Sequence, residues 1–319
     1  MLEMNWVKDA KMENRLTVVI CTHDRAELLV RTLASLDAAR RPSEMEVDVL
    51  VVANACTDDT PERVAAYRDG RTGGLPLRYC EEPQVGKSHA LNRAIDMVEA
   101  GFLLFVDDDH RVDAGYLEAV VDGIRRFPGV RMFCGQVVPD WRGDEPVWVH
   151  AQDRYRIYPL PVPHFELGEE EHFLDDDSRI PGGGNLAIHV DVFQKVGGFS
   201  TELGPKGHDL AGSEDSDLVL RAMAAGEKVR YLPDMLQYHY VDLERLRLSY
   251  LMRKAYQRSR TLVRVRGGAN GVPRYLWKKL ALYGVNALFS LRGDRRRFYL
   301  VRLSSVGGEI AGFREAQRA

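Results

Sequence analysis

Short apolar segments alternate with amphipathic segments of helical period over the first 110 residues of this 319-residue chain. Residues 16–21 and 47–53 are rich in β-branched side chains, and helical spacing of apolar residues follows at 26–36 and 60–67. Strands that alternate with helices of this length form parallel sheets with right-handed crossovers. The alternation therefore predicts an α/β fold with a mostly parallel central sheet flanked by helices.

Three consecutive carboxylates follow a later apolar strand. A third strand and helix begin at residues 77–79, and the run Phe102–Val106 then leads directly into Asp107, Asp108 and Asp109. Residues two apart in a strand face the same way, so Asp107 and Asp109 can share one cation. Carboxylate oxygens suit Mg²⁺ or Mn²⁺, and phosphate oxygens commonly complete the coordination. The run therefore predicts a metal and phosphate site.

The acidic run has two other interpretations. A solvated turn after a buried strand would also carry several carboxylates, and this interpretation stays open. An EF-hand loop would place acidic residues at similar positions, but it needs glycine where this chain has Val112, and a helix before the loop. The EF-hand is therefore excluded.

The regular alternation ends after Asp109. A helix is expected at 116–127 and a strand at 130–138, whereas 141–179 have no regular period. A strand at 186–188 and a short helix at Val190–Val196 follow, and the chain is mostly helical from residue 243. Ligands of open α/β sheets bind beyond the carboxyl ends of the strands, where Thr22, Asn54 and Asp107 would lie.

Charge divides the chain into two parts. From residue 242 onward there are 18 lysines and arginines against 5 acidic residues, a net +13, and the preceding part has 26 against 42, a net −16. A basic helical tail can meet nucleic acid, anionic lipid or the acidic body. We expect an N-terminal segment at 1–14, two halves of one α/β domain at 15–110 and 111–241, and a basic helical extension at 242–319.

The cysteines and the N-terminus favour a reducing compartment. The four cysteines form no CxxC pair, so neither a zinc site nor a disulfide framework is indicated. The first residues, MLEMNW, lack the basic and apolar regions of a signal peptide. The predicted location is the cytoplasm, with peripheral contact to the inner face of the cell membrane as an open alternative.

Four segments carry a family resemblance by their order and spacing. They are VVICTHDR at 18–25, VVANACTDDT at 51–60, DDD at 107–109 and EDSDLVLR at 214–221. GKSHALN at 86–92, Gly184 with Asn185, and VGGF at 196–199 add to the set. Over residues 15 to 241 the chain resembles the family 2 glycosyltransferases, which have the GT-A fold. The resemblance implies an inverting enzyme that uses a nucleoside-diphosphate sugar.

The resemblance also implies roles for individual residues. Asp107 and Asp109 match the DxD motif, in which Mn²⁺ or Mg²⁺ bridges the diphosphate, and His239 matches a position that adds a metal ligand in some relatives. Asp215 matches the catalytic base. The expected nucleotide-sugar contacts are Thr22, Asp24, Arg25, Asn54, Asp58, Lys87, Asn92, Asp107 and Asp108. The expected acceptor or sugar contacts are Gly183, Gly184, Asn185 and Glu214.

The proposed chemistry agrees with general principles. A divalent cation offsets the charge that builds on a leaving diphosphate. A hydroxyl acceptor is a weak nucleophile, so a carboxylate base contributes typically about 10²–10⁴-fold. For Asp215 the alternative is that Ser213, Glu214 and Asp215 merely cap a helix. For His239 the alternative is a hydrogen-bonded interior histidine.

Other positions remain ambiguous. Arg253 and Arg258 on a predicted helix at 249–263 could bind the leaving diphosphate, or form a solvated basic face. Relatives commonly have an acidic residue that contacts uracil where this chain has Ala53, so the donor base is undetermined. Cys56 replaces the serine of the usual motif, and we assign it no reactivity.

The tail contains an apolar stretch at 280–291 between basic clusters. Twelve helical residues span about 18 Å, well short of a hydrocarbon core of roughly 30 Å. A helix lying in the surface of an anionic membrane and a helix packed on the catalytic body are equally compatible with this pattern.

Three alternatives to glycosyl transfer were compared. A nucleotidyltransferase would need a glycine-rich loop after the first strand, and residues 22–26 contain no glycine. A non-catalytic sugar-nucleotide or glycan-binding protein would not need Asp107, Asp109 and Asp215 together. Nucleic-acid binding by the tail is opposed by the acidic body. The sequence favours a glycosyltransferase acting on a glycan, a lipid-linked or a small-molecule acceptor.

Overall fold

The computed structural model describes residues 14–158, 160–175, 178–203, 214–266 and 271–317, and of 264–266 and 316 only the backbone. Two compact units are formed, one by Met1–Asp140 with His164–Tyr240 and one by Trp141–Pro163 with Val241–Ala319. From the sequence, residues 141–163 were expected to belong to the half-domain at 111–241. In the structure they belong to the same compact unit as the C-terminal residues. The predicted N-terminal segment lies outside the described residues except for Asn14.

A mixed sheet forms the centre of the first unit. Its strands are β1 (Arg15–Thr22), β2 (Glu46–Asn54), β3 (Leu77–Glu82), β4 (Phe102–Val106), β5 (His110–Val112), β6 (Met132–Asp140), β7 (His172–Phe173), β8 (Asn185–His189) and β9 (Val229–Tyr240). The order is β3-β2-β1-β4-β8-β6-β9-β5, with β7 also paired to β9. The first four strands are parallel, β8 is antiparallel to β4 and β6, and β6 is parallel to β9.

Helices cover both faces of this sheet. They are α1 (Ala26–Ala38), α2 (Thr60–Gly70), α3 (Lys87–Asp96), α4 (Tyr116–Arg126), α5 (Val190–Val196) and α6 (Glu214–Ala224). Apolar residues of α1, α2 and α4 pack with one set of alternate strand residues, and those of α3, α5 and α6 pack with the other. Burial on both faces explains why the strands read as almost continuous apolar runs. The predicted α/β class is confirmed.

The carboxyl ends of the parallel strands meet at one edge. β1 ends at Thr22, β2 at Asn54 and β4 at Val106, immediately before the acidic run. β8 starts at the same edge, because Asn185 is the register partner of Val106. The loops that follow β1, β2 and β4, together with the loop that precedes β8, therefore supply the candidate site.

The second unit is mainly helical. It contains α7 (Leu248–Arg266), α8 (Arg274–Phe289), α9 (Gly293–Ala316) and two short 3₁₀ turns at Val147–His150 and Leu243–Leu246. Val149 and Val162 pack with Val241 and Leu246 in one small core. Within the described residues, no helix has both the length and the apolar character that crossing a bilayer requires.

Candidate functional site

Asp107 forms an ion pair at the mouth of the site. Its Oδ1 lies 2.6 Å from Nζ of Lys87, at the first position of α3. Burial raises the pKa of Asp107, but Lys87, with its charge and its hydrogen bond, together with the charges of His110 and His239 lowers it further and keeps the carboxyl ionised. A Cβ on Gly184 would lie 2.4 Å from Oδ2 of Asp107, so this glycine allows the start of β8 to approach the acidic run.

Asp108 lies in the turn after β4, and its carboxylate faces the loop after β1. Thr22 Oγ1 donates to its Oδ2 at 2.7 Å, and Arg25 Nη1 donates to its Oδ1 at 3.2 Å. Burial raises the pKa of Asp108 to about 6, and the neighbouring Asp109 carboxylate adds to the shift. Asp108 therefore positions the first loop, including Arg25, which also contacts Asp109 at 3.0 Å.

A candidate metal cluster is formed by Asp109, His110 and His239. One ligand atom from each residue lies within 4.8 Å of the other two. Nε2 of His239 lies 3.4 Å from Asp109 Oδ2, and Nε2 of His110 lies 3.9 Å from both Asp109 Oδ1 and Asp107 Oδ2. Burial lowers the pKa of His239 and favours the neutral imidazole, the form that binds metals. The sequence prediction contained Asp107, Asp109 and His239 but missed His110.

Hydrogen bonds orient both imidazoles of this cluster. Nδ1 of His110 bonds Oε1 of Gln237, and Nδ1 of His239 bonds the Tyr240 carbonyl at 2.6 Å. Since an oxygen acceptor takes the Nδ1 proton in each case, the Nε2 lone pairs are directed into the cluster. The signal for His110 was its place directly after the three aspartates; Gln237 is 127 residues away and could not be inferred.

Asn185 supports this arrangement from the core. Its Nδ2 donates to the carbonyls of Gln136 and Met235, both at 2.8 Å, and its Oδ1 accepts from Tyr116 and Gln237. The residue is only 1% exposed. These bonds occupy both ends of the amide and give Asn185 a structural role, and its predicted contact with sugar stays a prediction.

Asp215 lies at the start of α6, and the Gly183 amide donates to its Oδ2 at 2.5 Å. A Cβ on Gly183 would lie 3.0 Å from the Asp215 Cβ, so a larger residue would displace the carboxylate. The capping alternative involves Ser213, which lies outside the described residues.

A small cavity brings the acidic run and Asp215 together. Its volume is about 10 Å³, and its polar lining includes Lys87, Asp107, Glu214 and Asp215. Room for about one water at most remains there. Glu214 is 4% exposed and Lys87 is attracted by both Glu214 and Asp215. Asp107 and Asp215, which are 108 positions apart in the chain, thus face one space.

Hydrogen bonds to two carboxylates link the loop after β1 to the loop after β2. Asp24, at a positive φ of 52°, accepts from the Thr57 amide at 2.6 Å and the Asp58 amide at 3.2 Å, and its pKa is lowered mainly by the bond from Thr57. Asp58 accepts from the Ala26 amide at 3.2 Å. Burial raises the pKa of the nearby Cys56 thiol, in agreement with the absence of an assigned reactivity.

Two further asparagines bond to backbone groups. Asn54 donates to the Gln84 carbonyl at 2.7 Å and accepts from the Gly86 amide at 2.8 Å. Asn92 donates to the Phe199 carbonyl at 2.9 Å and accepts from its amide at 2.8 Å. Both side chains fix loops around the site, whereas the sequence prediction had them contact the nucleotide sugar. Arg253 and Arg258 belong to α7 of the second unit, and their contact with a diphosphate stays a prediction.

Comparison with known proteins identifies the family. The model of the family described as Glycosyl transferase family 2 matches residues 17–197, more than half of the chain. The chain belongs to glycosyl transferase family 2. Its GT-A fold and its classification as a glycosyltransferase, both expected from the sequence, are confirmed.

Relatives of this family 2 glycosyltransferase are distant. The glucosyl-dolichyl phosphate glucuronosyltransferase of Haloferax volcanii is 26% identical over 222 residues, 68% of this chain and 66% of the relative. The succinoglycan biosynthesis protein ExoM of Rhizobium meliloti is 24% identical over 304 residues, 92% of this chain and 91% of the relative. The chain therefore spans about two thirds of the first relative and nearly all of the second.

Solved structures of similar fold include two ligand complexes. The mannosyltransferase PcManGT from Pyrobaculum calidifontis, in complex with GDP-Man and Mn²⁺, has a TM-score of 0.56 at 16% identity, covering 98% of this chain and 94% of that one. S. aureus TarS 1-349 in complex with UDP has a TM-score of 0.53 at 17% identity, covering 95% and 91%. At these identities the likeness concerns the fold of this family 2 glycosyltransferase.

Proposed function

We propose that this family 2 glycosyltransferase transfers a sugar from a nucleoside-diphosphate sugar to a hydroxyl acceptor, with inversion and with a divalent metal. The observation that carries the proposal is the cavity lined by Asp107, Lys87 and Asp215. This cavity supports the proposal because its lining includes both a candidate base, Asp215, and Lys87, whose charge suits a diphosphate. The named ligands of PcManGT and TarS, GDP-Man with Mn²⁺ and UDP, support a nucleotide-sugar donor.

The residues present fit a transition-metal ion. Asp109 offers a carboxylate oxygen, and His110 and His239 offer imidazole nitrogens whose lone pairs face the same space. Mg²⁺ takes oxygen ligands almost exclusively, whereas two nitrogens and one oxygen suit a softer ion. Of the two expected cofactors we therefore propose Mn²⁺, which when bound would act as a Lewis acid on the leaving diphosphate.

The protein groups have complementary tasks in the proposed reaction. Lys87 adds positive charge beside Asp107, where the leaving phosphates would accumulate negative charge. The Gly183 amide holds one oxygen of Asp215, and this bond fixes the carboxylate that would accept the acceptor's hydroxyl proton. A single displacement by the activated hydroxyl at the anomeric carbon inverts its configuration.

Replacement of Asp215 by Asn tests the proposed base. The amide keeps the shape but cannot accept a proton, so transfer should fall by about 10²–10⁴-fold. Binding of UDP or GDP in the presence of Mn²⁺, measured by thermal shift, should stay nearly unchanged. Asp217→Asn is the matched control, since Asp217 lies on the same helix and pairs with Arg221 at 2.8 Å. Full transfer activity of Asp215→Asn would refute the assignment.

The acceptor and the location are also proposals. The names of the Haloferax and Rhizobium relatives support a lipid-linked or glycan acceptor over a small molecule. Leu288 and Phe289 at the end of α8 and Leu291 just after it are 75%, 73% and 102% exposed, although Leu280 and Ala287 of the same stretch pack within the unit, so one face of the stretch is exposed. We propose that this surface contacts an anionic membrane from the cytoplasmic side.

A further inference from the structure

A groove of about 220 Å³ runs along the second unit. Arg258, whose contact with a leaving diphosphate stays a prediction, is among its lining residues. The groove is formed by residues 156–158 and 160–161, one face of α7 and one face of α9. On α7 the lining residues recur at helical spacing from Leu251 to Leu262, and on α9 from Phe298 to Ser305. Ligand pockets commonly measure roughly 300–1,000 Å³, so this groove suits part of a molecule, such as a head group and the first carbons of a chain.

The lining of the groove is apolar with a positively charged rim. Arg156, Lys254, Arg258 and Arg302 are its charged residues, and it includes no carboxylate. The rest of the wall is mainly Ile157, Tyr158, Leu160, Pro161, Leu251, Leu262, Phe298 and Val301. Ser259 and Ser305 add two hydroxyl groups, whose oxygens are 2.6 Å apart.

The four cations of the groove have no ion-pair partner among the described residues. Four acidic residues of the same unit pair with cations outside the groove: Asp242 with Arg245, Glu244 with Arg247, Asp294 with Arg292, and Glu315 with Arg260. Arg156 and Arg302 lie instead near aromatic rings, at 5.5 Å from Tyr158 and 5.2 Å from Phe298. The groove therefore carries uncompensated positive charge.

Of these four cations, Lys254 has its charged form disfavoured by its surroundings. It is a partly buried residue of α7, and burial lowers its pKa, with Arg245 and Arg258 adding to the shift. An anion placed among Lys254, Arg258 and the rim arginines would relieve this repulsion and gain charge-assisted hydrogen bonds. A purely apolar ligand would leave the repulsion in place.

We propose that this groove binds one amphiphilic phosphate, with the phosphate among the four cations and the hydrocarbon chain along the apolar wall. The ligand is a single molecule held within one unit, which distinguishes this site from the membrane-facing surface of α8. The proposal goes beyond sugar transfer and does not depend on it. A lipid head group with its chain and a free phosphate share the anionic group, and only the first would use the apolar wall.

Calorimetric titration of the full chain with monomeric decyl phosphate tests the proposal. Decyl phosphate should bind, whereas decyl trimethylammonium should not, and inorganic phosphate should bind at least about tenfold more weakly because it leaves the apolar wall empty. If inorganic phosphate bound as tightly as decyl phosphate, the proposal of an amphiphilic ligand would be wrong and the groove would be a site for free phosphate. If the cationic amphiphile bound as tightly as decyl phosphate, the proposed binding of a phosphate by the four cations would be wrong.

Substitutions locate the binding in the groove. Lys254→Met keeps the length of the side chain and should weaken decyl phosphate binding about tenfold or more. Lys278→Met on α8 removes the same charge outside the groove and should change nothing. Arg302→Gln gives a second test if Lys254→Met lowers the unfolding midpoint. Unchanged binding by both groove variants, or an equal loss with Lys278→Met, would overturn the proposal. No donor sugar or turnover is involved, so these outcomes are separate from those of Asp215→Asn.

Discussion

Asp107, Asp108 and Asp109 are consecutive in the chain but have different partners. Asp107 pairs with Lys87, Asp108 is bound by Thr22, and Asp109 faces His239. Strand β4 ends at Val106, and the three aspartates enter a turn that the His110 amide closes by donating to the Asp107 carbonyl at 3.2 Å, so their side chains diverge. One short run thus supplies the partner of Lys87, the support of the first loop and one member of the candidate metal cluster.

The metal cluster predicts a role for His110. Substitution by Gln should lower the affinity for Mn²⁺ by at least about 10–100-fold, the range seen when even an outer partner of a metal ligand is lost. Titration with Mn²⁺ followed by calorimetry measures the effect. His164→Gln is the control, because His164 pairs with Glu166 on the surface. Wild-type affinity in His110→Gln would remove this residue from the cluster.

At the scale of elements, glycines on α9 allow a close approach to α7. A Cβ on Gly308 would lie 2.1 Å from the Tyr256 carbonyl oxygen, and one on Gly312 would lie 2.7 Å from the Arg260 carbonyl oxygen. Backbone atoms cannot move aside as a flexible side chain would. The two helices therefore pack at a distance that only glycine permits at these positions.

Gly308→Ala should destabilise the second unit. The overlap with the α7 backbone forces the helices apart, at a cost of about 1–3 kcal/mol. Gly307→Ala is the matched control, because its Cβ would meet the Tyr256 ring at an ordinary 3.8 Å and alanine favours the helix by up to about 1 kcal/mol. Thermal unfolding followed by circular dichroism compares the two. Equal stability of both variants would contradict the close packing.

Local sequence patterns predicted strands β1 to β4 and the helices between them. A run of β-branched residues and a helical spacing of apolar residues both depend only on residues that are close together in the chain. The strand β9 was not predicted, since Pro233 interrupts its pattern and proline is rare inside sheets. The sheet accommodates Pro233 at an irregularity, because the register of β6 with β9 shifts between Gly135 and Gln136.

Residue types alone left the orientation of the site side chains undetermined. Asn54, Asn92 and Asn185 occur in motifs that resemble nucleotide-sugar sites, yet each bonds to protein groups that come from distant parts of the chain. The carboxylates Asp107 and Asp215 were predicted from the family resemblance, and the structure lines one cavity with both of them.

At the scale of the whole molecule, charge and exposed apolar surface coincide in the C-terminal part. The part from residue 242 carries a net +13. On α8 the exposed side chains include Trp277, Lys278, Leu288 and Phe289. Basic residues beside an exposed apolar face are typical of helices that lie in the surface of anionic bilayers.

The protein should sediment with vesicles containing phosphatidylglycerol and be released by high salt, which screens the charges. Leu288→Ser with Phe289→Ser should reduce the bound fraction by about tenfold or more, because each buried apolar side chain contributes about 1.5–3 kcal/mol. Val147→Ser is the control, since Val147 is 87% exposed but lies outside α8. Equal sedimentation of the double variant and the control would contradict contact through α8.

The second unit is assembled from two separate stretches of chain, Trp141–Pro163 and Val241–Ala319. A gene shortened after residue 241 would still encode Val149 and Val162 but not Leu246, with which they form a small core. The remaining protein would carry an unpaired apolar insertion between β6 and β7. Recombination between relatives therefore cannot exchange the helical unit at one crossover; it must replace the insertion and the C-terminal part together.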